Sequence, residues 1–141
     1  MSTFRYSICD PFSPEIIEKG SIDKAGFLKV FHEFPWEEML HQMEEAENSV
    51  SGKDIHYSPS LEVENRSNKN GLSISVVDGK DEPEFYIFYK RPEIRKYLFG
   101  FIQKMDENFV SDRTSQTKAD ALAAINALFD NDLALLKSRW G

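Results

Sequence analysis

The sequence predicts an α+β fold, an antiparallel three- to four-stranded meander packed against N-terminal and C-terminal helices. Three observations carry it. Between 61 and 89, three runs rich in apolar residues, two of them alternating apolar with polar, stand between turn-forming residues, the signature of short strands. On both sides of that block, apolar residues recur at three- and four-residue spacing, the period of helices. A chain of 141 residues fits one α+β domain over 1–141, long enough to build a core without disulfides or metal.

Taken in order, Phe4, Tyr6 and Ile8 alternate with Arg5, Ser7 and Cys9, which predicts a strand that extends the meander to four. Asp10-Pro11-Phe12-Ser13-Pro14 interrupts regular structure, because each proline restricts itself and its predecessor. A short helix over 15–19, stopped by Gly20, is compatible with the residues there. Ser21 then reads as the N-cap of a helix over 23–34, with Phe27, Val30, Phe31 and Phe34 on one stripe. Pro35 ends that helix and opens the next, over 35–47, where Glu37 and Glu38 occupy a first turn that favours carboxylates. Trp36, Met39, Leu40 and Met43 form its inner face, and residues 48–54 read as a loop.

In the meander, Leu61 and Val63 alternate with Glu62 and Glu64. After Asn68-Lys69-Asn70-Gly71, Leu72, Ile74 and Val76 alternate with Ser73, Ser75 and Val77, so Ile74 and Val76 are expected to point inward. Asp78-Gly79 begins a second turn, and Phe85-Tyr86-Ile87-Phe88-Tyr89 forms a third strand that is apolar on both faces. Its second face therefore requires a cover, most simply a helix, or serves as a binding strip. Pro92 is expected to start a helix over 92–107, on the stripe Ile94, Tyr97, Leu98, Phe101, Ile102 and Met105. Residues 111–116 read as a polar linker. Thr117 caps a last helix over 117–139, with Asp120 in the capping-box position. Helix is expected to exceed strand.

The formal charge is −7, unevenly placed: residues 1–64 hold thirteen acidic and five basic side chains. Such a balance disfavours nonspecific binding to nucleic acid or to an anionic membrane, both of which need a basic face. No apolar run approaches the length that spans a bilayer, and the N-terminus lacks the pattern of a signal peptide. One cysteine, Cys9, permits neither an internal disulfide nor a Cys-rich metal centre, and the expected location is cytoplasmic. Without a secretory signal, the Asn65-Arg66-Ser67 acceptor pattern carries no weight.

Catalytic motifs are missing. No G-x-S-x-G and no glycine-rich phosphate loop occurs. Glu38-x-x-His41 has the ligand spacing of di-iron helix bundles, but no second copy exists, and His32-Glu33 fails as H-E-x-x-H because Pro35 and Trp36 fill its last two places. The remaining histidine is His56. Cys9, in a predicted strand, reads as a small buried hydrophobe rather than a nucleophile. Neither metal nor cofactor is expected.

These observations favour a small acidic protein-interaction module over an enzyme. Its expected mechanism is that of a bacterial immunity- or antitoxin-like protein, blocking a basic protein partner by steric and electrostatic complementarity. Glu33, Glu37, Glu38, Glu44, Glu45 and Glu47 are the candidate partner-binding residues. The alternative is a small-ligand-binding domain or enzyme using the aromatic strand 85–89 and the basic cluster Lys90, Arg91, Arg95 and Lys96 as an anion site at a helix start. The composition leaves the oligomeric state undetermined.

Overall fold

The computed structural model describes residues 4–9, 15–47, 59–77, 79, 82–97 and 102–141. Among them six strands form an antiparallel sheet: β1 (Phe4–Cys9), β2 (Ile17–Ile22), β3 (Ser60–Asn65), β4 (Asn70–Val77), β5 (Glu84–Tyr97) and β6 (Ile102–Gln116), in the order β2-β1-β3-β4-β5-β6. Helices α1 (Lys24–Glu33) and α2 (Trp36–Glu47) connect β2 to the segment before β3, while α3 (Lys118–Phe129) and α4 (Leu133–Trp140) come after β6. The mixed α+β class and the antiparallel meander of β3, β4 and β5 agree with the sequence pattern.

Alternation along the strands decides which face is buried. Leu61 and Val63 of β3, Leu72, Ile74 and Val76 of β4, and Phe85, Ile87 and Tyr89 of β5 turn toward the helices and are buried. The inward placement expected of Ile74 and Val76 is therefore observed. Phe27 and Phe31 of α1, Ile125 and Leu128 of α3, and Leu136 and Trp140 of α4 complete this core, each with no exposed surface. Burying a side chain of this size contributes roughly 1.5–3 kcal/mol, so this layer dominates stability. Phe129 stacks on Phe4 at 4.2 Å between ring centroids and lies 5.8 Å from Phe27, which ties α3 to β1 and α1.

Several elements differ from expectation, each for a physical reason. Residues 15–19 form no helix; β2 begins at Ile17 and pairs with β1. The pairing register shifts between Tyr6 and Ser7, opposite Gly20, whose φ of +91° is the left-handed conformation that a glycine bulge requires. α1 is capped by Asp23 rather than Ser21: its carboxylate accepts from the Gly26 N–H at 2.7 Å. The expected helix 92–107 is a hairpin, since β5 runs on to Tyr97 and β6 returns from Ile102. Pro92 sits where the β5–β6 register shifts, between Arg91 and Glu93, a place where a missing N–H breaks no regular ladder. The polar stretch 111–116 is the end of β6, not a linker. Finally, the helix expected over 117–139 is two. Asn131 adopts φ +59° and Asp132 accepts from the Leu135 N–H at 3.2 Å, which closes α3 and opens α4. With six strands instead of three to four, strand residues outnumber helical ones among those described. The loop 48–54 and His56 lie outside the described residues.

Candidate functional site

The corner between α1 and α2 follows from Phe34-Pro35-Trp36. A proline forces its predecessor out of the helical region, and Phe34 is extended at φ −66°, ψ 128°. Its N–H still reaches the Val30 carbonyl at 2.9 Å, and Trp36 N–H returns to the Phe34 carbonyl at 2.9 Å, two bonds that hold the turn. Trp36 is buried and donates its indole N–H to the Phe31 carbonyl at 3.1 Å. Phe34 lies 4.3 Å and Phe85 5.3 Å from it, giving a rigid aromatic cluster.

This cluster floors a cleft of about 650 Å³. Glu37 and Glu38 enter it from α2 and Glu82 from the segment before β5, with Lys118 at the start of α3 and His32 from α1. All five side chains are exposed. Among the described residues no cation pairs with Glu33, Glu37, Glu44 or Glu82. Glu38 accepts from Gln42 at 3.4 Å, and Glu45 meets His41 at 3.1 Å along the helix. The structure thus brings Glu37 and Glu38 to one cleft, with Glu82 as a third carboxylate that the helix-based sequence argument did not single out. Glu33, Glu44 and Glu45 stay on the exposed surface of the same helical pair, and the side chain of Glu47 lies outside the described residues.

The basic cluster does not hold together. Lys90 and Arg91 are neighbours in a strand, so they point to opposite faces. Lys90 pairs with Glu64 at 3.3 Å on the face away from the helices. Arg91 turns inward, with its side chain only 8% exposed. There it donates through Nε to Glu93 at 3.0 Å, through Nη1 to the Tyr89 carbonyl at 3.3 Å, and to Ser111 Oγ. The Tyr89 and Phe109 rings flank it at 4.6 and 4.7 Å. Ser111 in turn donates to the Trp140 carbonyl at 2.5 Å, so Arg91 fastens the end of α4 to the hairpin. The guanidinium beside Glu93 holds that carboxyl below its ordinary range, assisted by Lys137 at 3.6 Å. Arg95 and Lys96 belong to β5, where no helix N-terminus exists to supply an anion site.

The face away from the helices carries a second cleft, of about 560 Å³. One row of residues crosses it as Glu18, Ser7, Glu62, Ser73 and Phe88, and the next as Arg5, Glu64, Gly71, Lys90 and Val110. The sequence called for either a cover on the outer face of β5 or its use as a binding strip; among the described residues, Phe88 lines this open groove. Small side chains over the central strands make it concave. Its charges are largely balanced, with Arg5 to Glu18 at 3.8 Å and Ser7 donating to Glu62 at 3.4 Å.

Cys9 is buried beside Ser60, and burial pushes its thiol up from the ordinary value, which disfavours the reactive thiolate. Asn65 is 1% exposed and accepts from the Ser67 N–H at 2.9 Å, a position no glycan reaches without unfolding the turn. Among the described residues, no three of His, Cys, Asp and Glu converge as a metal site, and no helix is long and apolar enough to cross a membrane. Comparison with known protein families, curated proteins and solved structures yields no match, so the geometry of the two clefts is what bears on function.

Proposed function

We propose that this chain is an acidic protein-interaction module of the immunity or antitoxin kind, which captures a basic segment of a protein partner at the α1–α2 corner and blocks it. The observation that supports this is the corner cleft itself, where an aromatic floor of Phe34, Trp36 and Phe85 meets a rim of Glu37, Glu38 and Glu82. Arginine and lysine combine an aliphatic stem with a charged head, so one side chain satisfies both surfaces at once. Among the described residues of the rim, Lys118 opposes such a ligand. The remaining carboxylates of α1 and α2 extend the negative potential around the cleft, which raises the rate of encounter with a basic surface.

The test is a side-by-side capture from the native host with wild type and the triple variant Glu37→Gln, Glu38→Gln, Glu82→Gln, with cross-links mapping the bound face. These side chains are exposed, so folding stability should change by no more than about 0.5 kcal/mol. The expected result is a partner cross-linked near 35–47, bound at least tenfold more weakly by the variant and released by added salt. A partner held equally by both proteins would remove the acidic corner from the mechanism. The sheet groove supports a second reading, a small-ligand site beside Phe88 and Lys90. Binding lost on Lys90→Ala but kept in the triple variant would select it.

A further inference from the structure

We propose that two copies of this chain join through their β6 strands, edge to edge and antiparallel, with a two-fold axis passing at Met105. Among the described residues β6 is the terminal strand of the sheet, and one of its edges has no strand partner there. It is also long: β5 and β6 have 14 and 15 residues, whereas β4 has eight and pairs with β5 only as far as Lys90. Beyond that point the hairpin projects as a two-stranded ribbon, a form that is marginal in water on its own. An uncovered edge of this kind recruits another strand.

The register of the ribbon selects the partner. On one face Ile94 and Met105 stand directly opposite each other, 56% and 52% exposed, forming an apolar pair at the edge. On the other face Glu93 stands in register with Asp106, and Arg95 with Lys104, while Glu93 is answered within the chain by Arg91 at 3.0 Å and Lys137 at 3.6 Å. Opposite charges directly across from each other on neighbouring strands are favourable. A two-fold axis at Met105 places Lys104 opposite Asp106 of the second copy, and Asp106 opposite its Lys104. Each row across the joined ribbon then reads two basic positions followed by two acidic ones. On the other face, Ile94 and Met105 of both copies form one apolar strip of four. The same operation runs the two β6 strands away from each other beyond the overlap, so the helical layers stand at opposite ends. The pattern is self-complementary, as a closed two-fold interface demands.

Sedimentation velocity over a wide concentration range tests this. Wild type should show a reversible monomer–dimer equilibrium. Met105→Asp, which sets two carboxylates face to face on the axis, should abolish it. Lys104→Asp and Asp106→Lys should each weaken the dimer at least tenfold, and the double exchange should restore it, because only a reciprocal pair is repaired that way. All three residues lie on the ribbon at its exposed edge, and an unchanged circular dichroism spectrum verifies folding. Met105→Cys should oxidise to a covalent dimer, since directly opposed Cα atoms lie about 4.5–5.5 Å apart, within disulfide reach. Gln103→Cys should not, because the axis leaves its two copies about 14 Å apart at strand spacing. Cys9 is buried and does not compete. A chain that stays monomeric throughout, a dimer indifferent to Met105→Asp, or cross-linking through Gln103→Cys instead of Met105→Cys would overturn the proposal. So would β6 amides protected only when a strand of another protein is added. The acidic corner plays no part in these measurements, so either proposal can fail without the other.

Discussion

Replacing Arg91 by alanine should destabilise the fold while leaving the exposed surfaces unchanged. The side chain is 8% exposed and makes a charge-assisted bond to Glu93 at 3.0 Å, with further bonds to the Tyr89 carbonyl and Ser111 Oγ. Bonds to a charged group are worth about 1.5–3 kcal/mol each, and the two flanking rings add about 0.5–1 kcal/mol apiece. Against that gross gain stands the cost of holding a guanidinium out of water, several kcal/mol. Removing one member of a buried pair typically costs about 3–5 kcal/mol. Glu93 is 24% exposed, so water recovers part of its solvation, and the expected loss is at the low end, about 3 kcal/mol. With a urea slope near 1.5 kcal/mol/M, the unfolding midpoint should fall by about 2 M at unchanged slope. Arg91→Lys keeps the charge but not the fork, and should lose about 1–2 kcal/mol. If Arg91→Ala unfolds within about 0.5 kcal/mol of wild type, as an exposed residue would, the clamp on α4 is refuted.

Two further outcomes rest on the same accounting. Thr117 accepts from the Asp120 N–H at 3.1 Å while Asp120 accepts from the Thr117 N–H at 2.9 Å; Thr117→Ala should therefore lower stability by about 1 kcal/mol in urea unfolding, and Thr117→Ser by much less. The pH profile should show a plateau with two falling sides. Glu93, bonded by Arg91, and Asp120, bonded by the Thr117 backbone, are held below their ordinary values of 4.5 and 3.8, so their stabilisation is present above those values and lost as acid protonates them in the folded state. Burial raises Cys9 and Tyr89 above 9.0 and 10.0, so their contribution is present below those values and lost as alkali ionises them. Thermal midpoints measured across pH check this, and a midpoint rising below pH 4 would contradict it.

What was legible in the sequence was whatever nearest neighbours decide. Alternation placed β1, β3 and β4 and turned Ile74 and Val76 inward, because a half-buried strand imposes a period of two regardless of its partners. The capping box at Thr117 and the proline corner at 34–36 are likewise local, and both stand where the residues indicate. The acidic character of α2 was legible too, but Glu82 joins Glu37 and Glu38 only because the chain before β5 packs against that corner.

Tertiary pairing decided the rest. The stripe Ile94, Tyr97, Leu98, Phe101, Ile102 and Met105 has helical spacing, yet most of it lies in a hairpin whose ladder runs from Phe85–Gln116 to Tyr97–Ile102. Short segments hold both periods, and a long cross-strand ladder outweighs a modest helical preference that is tertiary in origin anyway. With that change the four basic residues lost their helix terminus, and strand alternation sent Arg91 into the core while Lys90 stayed outside. No local rule separates those two neighbours in advance. The sequence determines the charges and the periods, and the choice of strand partner determines which face each charge meets, because β pairing is fixed by contacts between residues far apart in the chain.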